Sequence, residues 1–300
     1  MTGQRYFAHG KLLLTGEYLV LRGTPALALP TQMGQSVMVK PATEGIDWRS
    51  QDHQGRTWLH IKFSTDLKII KSTDAEGSIF LQKLLVAGQR LRGEPLPACQ
   101  IVSQLEFPRN WGLGSSSSLT YLVAQWLQVE PFQLFFATQD GSGYDIACAQ
   151  AKLPLLYQLH RQKPSWQSVS LPACYYDSFF VYLGQKQHSQ REVKKFNQLK
   201  VSAHQQSAIA NLTHAFLKVN NAKELGNLME EHEDIMSGVL QRPAVKESLF
   251  SDFKGAVKSL GAWGGDFVMA LGKDAPSYFQ NKGYPEVFTF RQMAHEKPAD

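Results

Sequence analysis

The chain has 300 residues, 43% of them hydrophobic and 19% charged, with a formal net charge of +5. That length supports one large core or two smaller ones, and no run approaches the ~20 apolar residues that cross a bilayer. The modest positive charge suits an anionic small molecule, and the basic residues are too dispersed for a nucleic-acid interface. The opening stretch, MTGQRYFAHGKLLLTGEY, lacks a signal-peptide pattern, because His9, Gly10 and Lys11 interrupt its apolar run. Cys99, Cys148 and Cys174 lie far apart and form neither a disulfide framework nor a CxxC metal pair. A cytoplasmic protein with no membrane or nucleic-acid partner is expected.

In chain order, strand-like runs at Leu12–Leu14 and Ser36–Val39 flank a turn-rich segment containing RGTPALALP, and TWLHIKF follows as a third. Residues Ser78–Leu91 have helical periodicity, with Phe80, Leu84, Ala87 and Leu91 on one face. The strand-like ACQIVSQLEF then leads into PRNWGLGSSSSLTYL. After the serines a helix is predicted, with Leu119, Leu122, Val123, Trp126 and Leu127 along one stripe. The loop TQDGSGYD and the strand-like LPLLYQL come next. Residues 160–175 carry two prolines and several polar side chains, and they divide the chain into domains 1–165 and 166–300. The second half opens with strand-like SFFVYLG and turns mostly helical. QREVKKFNQLK reads as a solvated helix, and Leu225, Leu228, Met229, His232, Ile235, Met236 and Val239 form one long stripe. GAWGGDFVMALG, an amphipathic helix and the strand EVFTF close the chain. This order predicts an α+β protein of two domains.

The glycine–serine segment calls for a chemical explanation. A helix N-terminus carries unpaired N–H groups and a partial positive charge, so it attracts anions. Gly112 and Gly114 would let the backbone approach a phosphate closely, and first-turn serines can cap the helix, bind phosphate oxygen or ligate magnesium. A glycine turn with a plain serine cap would need one serine and not four. Other phosphate and hydrolase motifs are absent: there is no GxxxxGK[ST], no GxGxxG after a strand and no G-x-S-x-G elbow.

Residues 108–117, PRNWGLGSSS, match the P-x-x-x-G-L-G-S-S-[AS] signature of the GHMP kinases, the superfamily of galactokinase and of the homoserine, mevalonate and phosphomevalonate kinases. GKLLLTGEYLVLRGTPALAL (10–29) resembles the N-terminal motif of its mevalonate and phosphomevalonate branch. LGAWGGDFVMALG (260–272) resembles the C-terminal glycine motif, and GSGYDIA (141–147) the segment that bears the catalytic aspartate. The resemblance implies an N-terminal domain like ribosomal protein S5 domain 2 and a C-terminal ferredoxin-like domain. It also implies ATP and magnesium as cofactors, with mevalonate, a related hydroxy acid or its phosphate as acceptor. A phosphomevalonate kinase, or a metabolite-binding protein of this fold without catalysis, are the alternatives.

By the same resemblance Asp145 and Lys11 are the catalytic pair, although Asp145 would also serve as an ordinary helix cap and Lys11 as a surface lysine. Gly112, Leu113, Gly114, Ser115, Ser116 and Ser117 would line the phosphates, with Ser116 as the magnesium ligand. Ser118 reads as a helix-surface serine. Glu17 and Tyr18 fall near the acceptor, and Gly264, Gly265 and Asp266 would close over the phosphates. Three departures stand out. The short interval from Ser116 to Asp145 holds only Glu130 and Asp140 as acids, so the family's second magnesium ligand, a glutamate, has no counterpart. Trp263 stands where the C-terminal motif has a small residue, and His9 replaces a proline. MEEHEDIM (229–236) has no metal-ligand spacing and reads as a solvated helix face.

Overall fold

The computed structural model describes residues 3–185 and 189–296. The chain forms two compact units. The first comprises the chain up to Gly10, Met33–Arg109 and Leu113–Gln150, and the second comprises Lys11–Gln32, Asn110–Gly112 and the chain from Ala151 on. Strands β1 (Gln4–Leu13) and β2 (Ala26–Pro41) contribute residues to both.

The first unit continues with β3 (Ile46–Gln51), β4 (Thr57–Phe63), β5 (Ile69–Ser72), α1 (Ala75–Arg92) and β6 (Cys99–Leu105). Helices α2 (Ser115–Leu127), α3 (Pro131–Thr138) and α4 (Tyr144–Gln150) complete it. Its strands lie in the order β5-β4-β3-β6-β2, with β1 beside β2. β3 and β6 run parallel, whereas β2 with β6, β3 with β4 and β4 with β5 are antiparallel. Alternation along β4 buries Leu59, Ile61 and Phe63, which join Trp48 of β3, Leu84 and Leu85 of α1 and Leu122 and Val123 of α2 in one core.

Helix α1 begins at the Asp74 cap, whose carboxylate accepts from the Gly77 N–H at 2.7 Å. Its buried face differs from the expected one. Ser78, Leu81, Leu84, Leu85 and Gly88 are buried, while Leu91 is exposed. The reason is close packing on small residues: a Cβ at Gly88 would come within 2.4 Å of a Leu127 methyl. Hydrophobic periodicity gives no weight to a serine or a glycine, so it set the stripe to one side.

β2 also extends further than expected, since ALALP belongs to it. Pro30 lies between two of its ladders, that to β6 over Gln35–Pro41 and that to β7 (Leu155–His160) over Ala26–Ala28. Neither ladder needs an N–H at position 30. β7 pairs in turn with β8 (Lys163–Ser168), a largely exposed strand inside the polar stretch expected to be a joint.

The second unit then runs β9 (Ser178–Tyr182), α5 (Ser189–Asn197), α6 (Ala203–Ala215), α7 (Ala222–Leu240) and α8 (Val245–Leu249). It ends with β10 (Ala256–Leu260), β11 (Phe267–Leu271), α9 (Ala275–Asn281), β12 (Val287–Thr289) and α10 (Phe290–Met293). Four of these strands form an antiparallel sheet in the order β10-β11-β9-β12. Helix α6 starts with a reciprocal cap between Ser202 and Gln205, and α7 with Asn221 accepting from the Glu224 N–H. Among the described residues no helix is long and apolar enough to cross a membrane.

The contact at Gly88 makes a stability prediction. Gly88→Leu should overpack the α1–α2 contact and lower the unfolding free energy by about 1–3 kcal/mol in urea melts. An unchanged midpoint would mean that α1 is not pressed against Leu127.

Candidate active site

In the first unit the serine segment opens α2 as expected. Gly114 is its N-cap, in the left-handed conformation with φ 88°, and no side chain caps this end of the helix. The Ser118 N–H closes the first turn on the Gly114 carbonyl at 2.9 Å. The amides of Ser115–Ser117 precede that first closed turn, so they are the orphan donors of the helix end. Ser116 is exposed and Ser117 is buried. The Ser117 hydroxyl donates to Asp145 Oδ2, and the Ile146 N–H donates to the other carboxylate oxygen at 3.0 Å. The carboxylate is thus held beside the serine turn from both sides.

Ser118 is not a surface residue. It is 1% exposed, and its hydroxyl donates to Gln35 Oε1 at 2.7 Å, which ties α2 to β2. Glu130 is the N-cap of α3, accepting from the Gln133 N–H at 2.7 Å. Among the described residues no group of three or more His, Cys, Asp or Glu side chains could hold a metal ion. The donors here fit magnesium only as a partial set, completed by phosphate oxygens and water.

In the second unit Lys11 lies half-buried on β1. Asn110 and Trp111, just ahead of Gly112, are anchored on the four-stranded sheet. Trp111 packs against Tyr182, Phe267 and Phe288, and the Asn110 amide donates to the Tyr182 hydroxyl at 2.7 Å. Gly112 has φ 66°, and a Cβ there would lie 1.8 Å from Asp266 Oδ2. Only glycine fits that approach. The turn after β10 holds Gly261 and Gly264 at positive φ, and the Gly265 N–H donates to the Ala262 carbonyl at 3.0 Å. Lys11 and Asp145, which the family resemblance pairs, belong to different units.

Glu17 is 1% exposed and sits in a buried polar cluster. Lys258 Nζ donates to Glu17 Oε1 at 2.5 Å and to the Ser259 carbonyl at 2.9 Å. Glu233 Oε2 accepts from the Ser259 hydroxyl at 3.1 Å. His232 Nε2 accepts from the Gly16 N–H at 3.2 Å, so its ring proton belongs on Nδ1. Burial, helped by the Lys258 charge, holds His232 well below the usual imidazole range and hence neutral. Glu17 Oε2 lies 3.2 Å from the same Nε2 but makes no hydrogen bond to it. Burial raises the Glu17 carboxyl against the pull of Lys258. Burial also pushes Glu233 up to about 7.

Glu233 and Lys258 were missed in the sequence. Glu233 lies in the run expected to be a solvated face, and its neighbour Glu230 does pair with Lys246 at 2.6 Å. The usable signal was position: Glu233 directly follows His232 on the apolar stripe. Lys258 interrupts an otherwise apolar strand, AVKSL, that is buried throughout.

The fold is the two-domain α+β fold of the GHMP kinases. Mevalonate kinase from Methanococcus jannaschii superposes with a TM-score of 0.71 at 15% identity, covering 99% of each chain. Streptococcus pneumoniae phosphomevalonate kinase, solved with phosphomevalonate and AMPPNP, gives 0.71 at 18% identity over 96% of this chain and 100% of that one. Lactococcus lactis galactokinase complexed with galactose gives 0.68 at 16% identity over 98% and 93%. No protein-family model matches the sequence, and no curated protein matches it significantly.

The raised Glu233 carboxyl predicts a pH effect on stability. Below about 4.5 the group is protonated whether the chain is folded or not. As pH rises from there to about 7 the unfolded chain loses the proton that the folded chain keeps, so stability falls, and above that it levels off. The difference in unfolding free energy between wild type and Glu233→Gln should shift against the wild type by on the order of 3 kcal/mol across that window. A difference that stays constant with pH would show that Glu233 titrates as it does in water.

Proposed function

We propose that the chain is an ATP-dependent small-molecule kinase of the cytoplasm, with mevalonate or a close relative as its acceptor. The observation that carries this is the hydrogen bond from Ser117 to Asp145, which sets a carboxylate beside an uncapped helix N-terminus. Such a helix end takes phosphate, and a carboxylate next to it is placed to orient an acceptor hydroxyl. Likeness of fold to mevalonate and phosphomevalonate kinases supports the acceptor class, and the AMPPNP complex of one of them supports ATP as donor.

Gly112–Ser117 would cradle the nucleotide phosphates, so residues 1–165 would carry most of the nucleotide site. Asp145 would take the proton of the acceptor hydroxyl as its oxygen attacks the terminal phosphorus and ADP leaves in line. Lys11 would offset the negative charge on the transferred oxygens. Glu17 and Tyr18 would lie toward the acceptor, and Gly264, Gly265 and Asp266 toward the phosphates. Ser116, with the phosphates, would hold magnesium, which when bound neutralises phosphate charge.

A coupled ADP-release screen over mevalonate, phosphomevalonate, homoserine and simple sugars tests the proposal. Transfer to phosphomevalonate alone would make the chain a phosphomevalonate kinase. Nucleotide binding without transfer to any of them would leave a non-catalytic metabolite-binding protein. With the acceptor found, Asp145→Asn should lower turnover by about a hundredfold or more while nucleotide affinity stays close to wild type. Full turnover in that variant would overturn the mechanism. Gly114→Val should abolish ATP binding in calorimetry, because valine is strained at a φ of 88°.

A further inference from the structure

Lys258 is fully buried at the centre of the polar cluster, and its ammonium reaches two segments distant in sequence. It holds Glu17 on one side and the Ser259 carbonyl on the other, with Glu233 Oε1 at 4.0 Å. One residue beyond Glu17, Tyr18 has φ 60° and ψ −43°, a backbone conformation that side chains other than glycine rarely adopt. The hydroxyl of Tyr18 accepts from the Trp263 N–H at 3.1 Å. Trp263 is itself pinned: its indole N–H donates to the Pro243 carbonyl at 3.0 Å, and it packs in a core with Tyr18, Phe196 and Met236. The turn 261–265 is therefore fixed at its start by β10 and at its middle by Tyr18.

As a device for stability alone the cluster is poor. Glu17 Oε2, His232 Nδ1 and Glu233 Oε1 have no hydrogen-bond partner. Buried ion pairs are commonly matched or bettered in stability by well-packed apolar side chains of similar volume. What an ion pair supplies that such side chains do not is registry. Two of the three ammonium donors are met, by Glu17 Oε1 and by the Ser259 carbonyl, so the lysine ties the segment of Glu17 to β10.

We propose that Lys258, acting through Glu17 and Tyr18, is a positioning residue that sets the backbone of the glycine turn 261–265 for phosphate. This rests on the kinase function proposed above for the purpose of the turn, but the positioning is measurable without it. Lys258 touches no substrate in this scheme. It fixes the peptide that carries Tyr18, and the Tyr18 hydroxyl fixes the Trp263 amide.

The test uses the whole chain and three variants: Lys258→Met, the double variant Glu17→Gln with Lys258→Met, and Tyr18→Phe. Lys258→Met should unfold more easily, because it strands the Glu17 carboxyl. The double variant removes both charges and should recover most of the melting temperature. Amide hydrogen exchange over 261–265 should nevertheless stay at least tenfold faster than wild type in the double variant. Tyr18→Phe should show the same acceleration at Trp263 with its melting temperature nearly unchanged. In the ADP-release assay the double variant should raise KM for ATP more than it lowers kcat. If protection and KM return to wild type together with the melting temperature, the cluster is structural only and the proposal falls. Should the double variant not fold, unaltered Trp263 exchange in Tyr18→Phe overturns it alone. Exchange reads the positioning even if no acceptor is phosphorylated, so failure of the kinase proposal is seen separately.

Discussion

Gly112 and Gly114 hold φ angles of 66° and 88°, and the geometry of the serine segment depends on that left-handed turn. At Gly112 the place of a side chain is filled by the Asp266 carboxylate. Just ahead of it, the Trp111 ring is locked among three aromatic side chains, so the approach to the turn is fixed. At Gly114 the left-handed backbone starts α2 without a capping side chain. A serine or aspartate cap sits in extended backbone, which the φ of 88° at Gly114 does not offer, so the first-turn amides have no side-chain cap. The first-turn hydroxyls then divide by depth: Ser116 is exposed, Ser117 reaches Asp145, and Ser118 is buried against Gln35.

Much of this was legible in the sequence, for physical reasons that differ from element to element. Helix α2 declares itself through a 3.6-residue stripe of large apolar side chains, and the glycines mark the turn because few other residues tolerate it. The α+β class and the GHMP fold follow from ordered motifs that local chemistry had already made conspicuous. The α1 face was misjudged because its contact is made by Ser78 and Gly88, whose value lies in their small size. The strand β8 escaped because KPSWQS is largely exposed, and only its ladder to β7 makes it a strand. Short exposed strands have no apolar alternation to read.

The polar cluster was hidden for a different reason. A buried charge is recognisable from sequence only when its partner is known, and Glu17 lies 241 residues from Lys258. Lys258 alone looks like an exposed lysine in a strand, and Glu233 like one more acid on a solvated helix. Each residue type is almost never fully buried unless paired, so the statistical expectation for either, taken singly, was the wrong one. Pairing inverts that expectation.

Trp263 connects the two ways in which the second unit fixes its loops. Around Trp111 the fixing is aromatic, by ring contacts with Tyr182, Phe267 and Phe288. Around Glu17 it is ionic. Trp263 does both, since its ring belongs to the apolar cluster of Tyr18 and Phe196 while its amide bonds the Tyr18 hydroxyl. A small residue in its place would keep the amide bond to Tyr18 but lose the indole's bond to the Pro243 carbonyl and its apolar packing. A glycine-rich turn loses much conformational entropy on ordering, and each glycine adds to that loss. An indole that is 2% exposed supplies the burial energy to offset it. The indole and the amide of Trp263 thus hold the glycine turn by packing and by a hydrogen bond together.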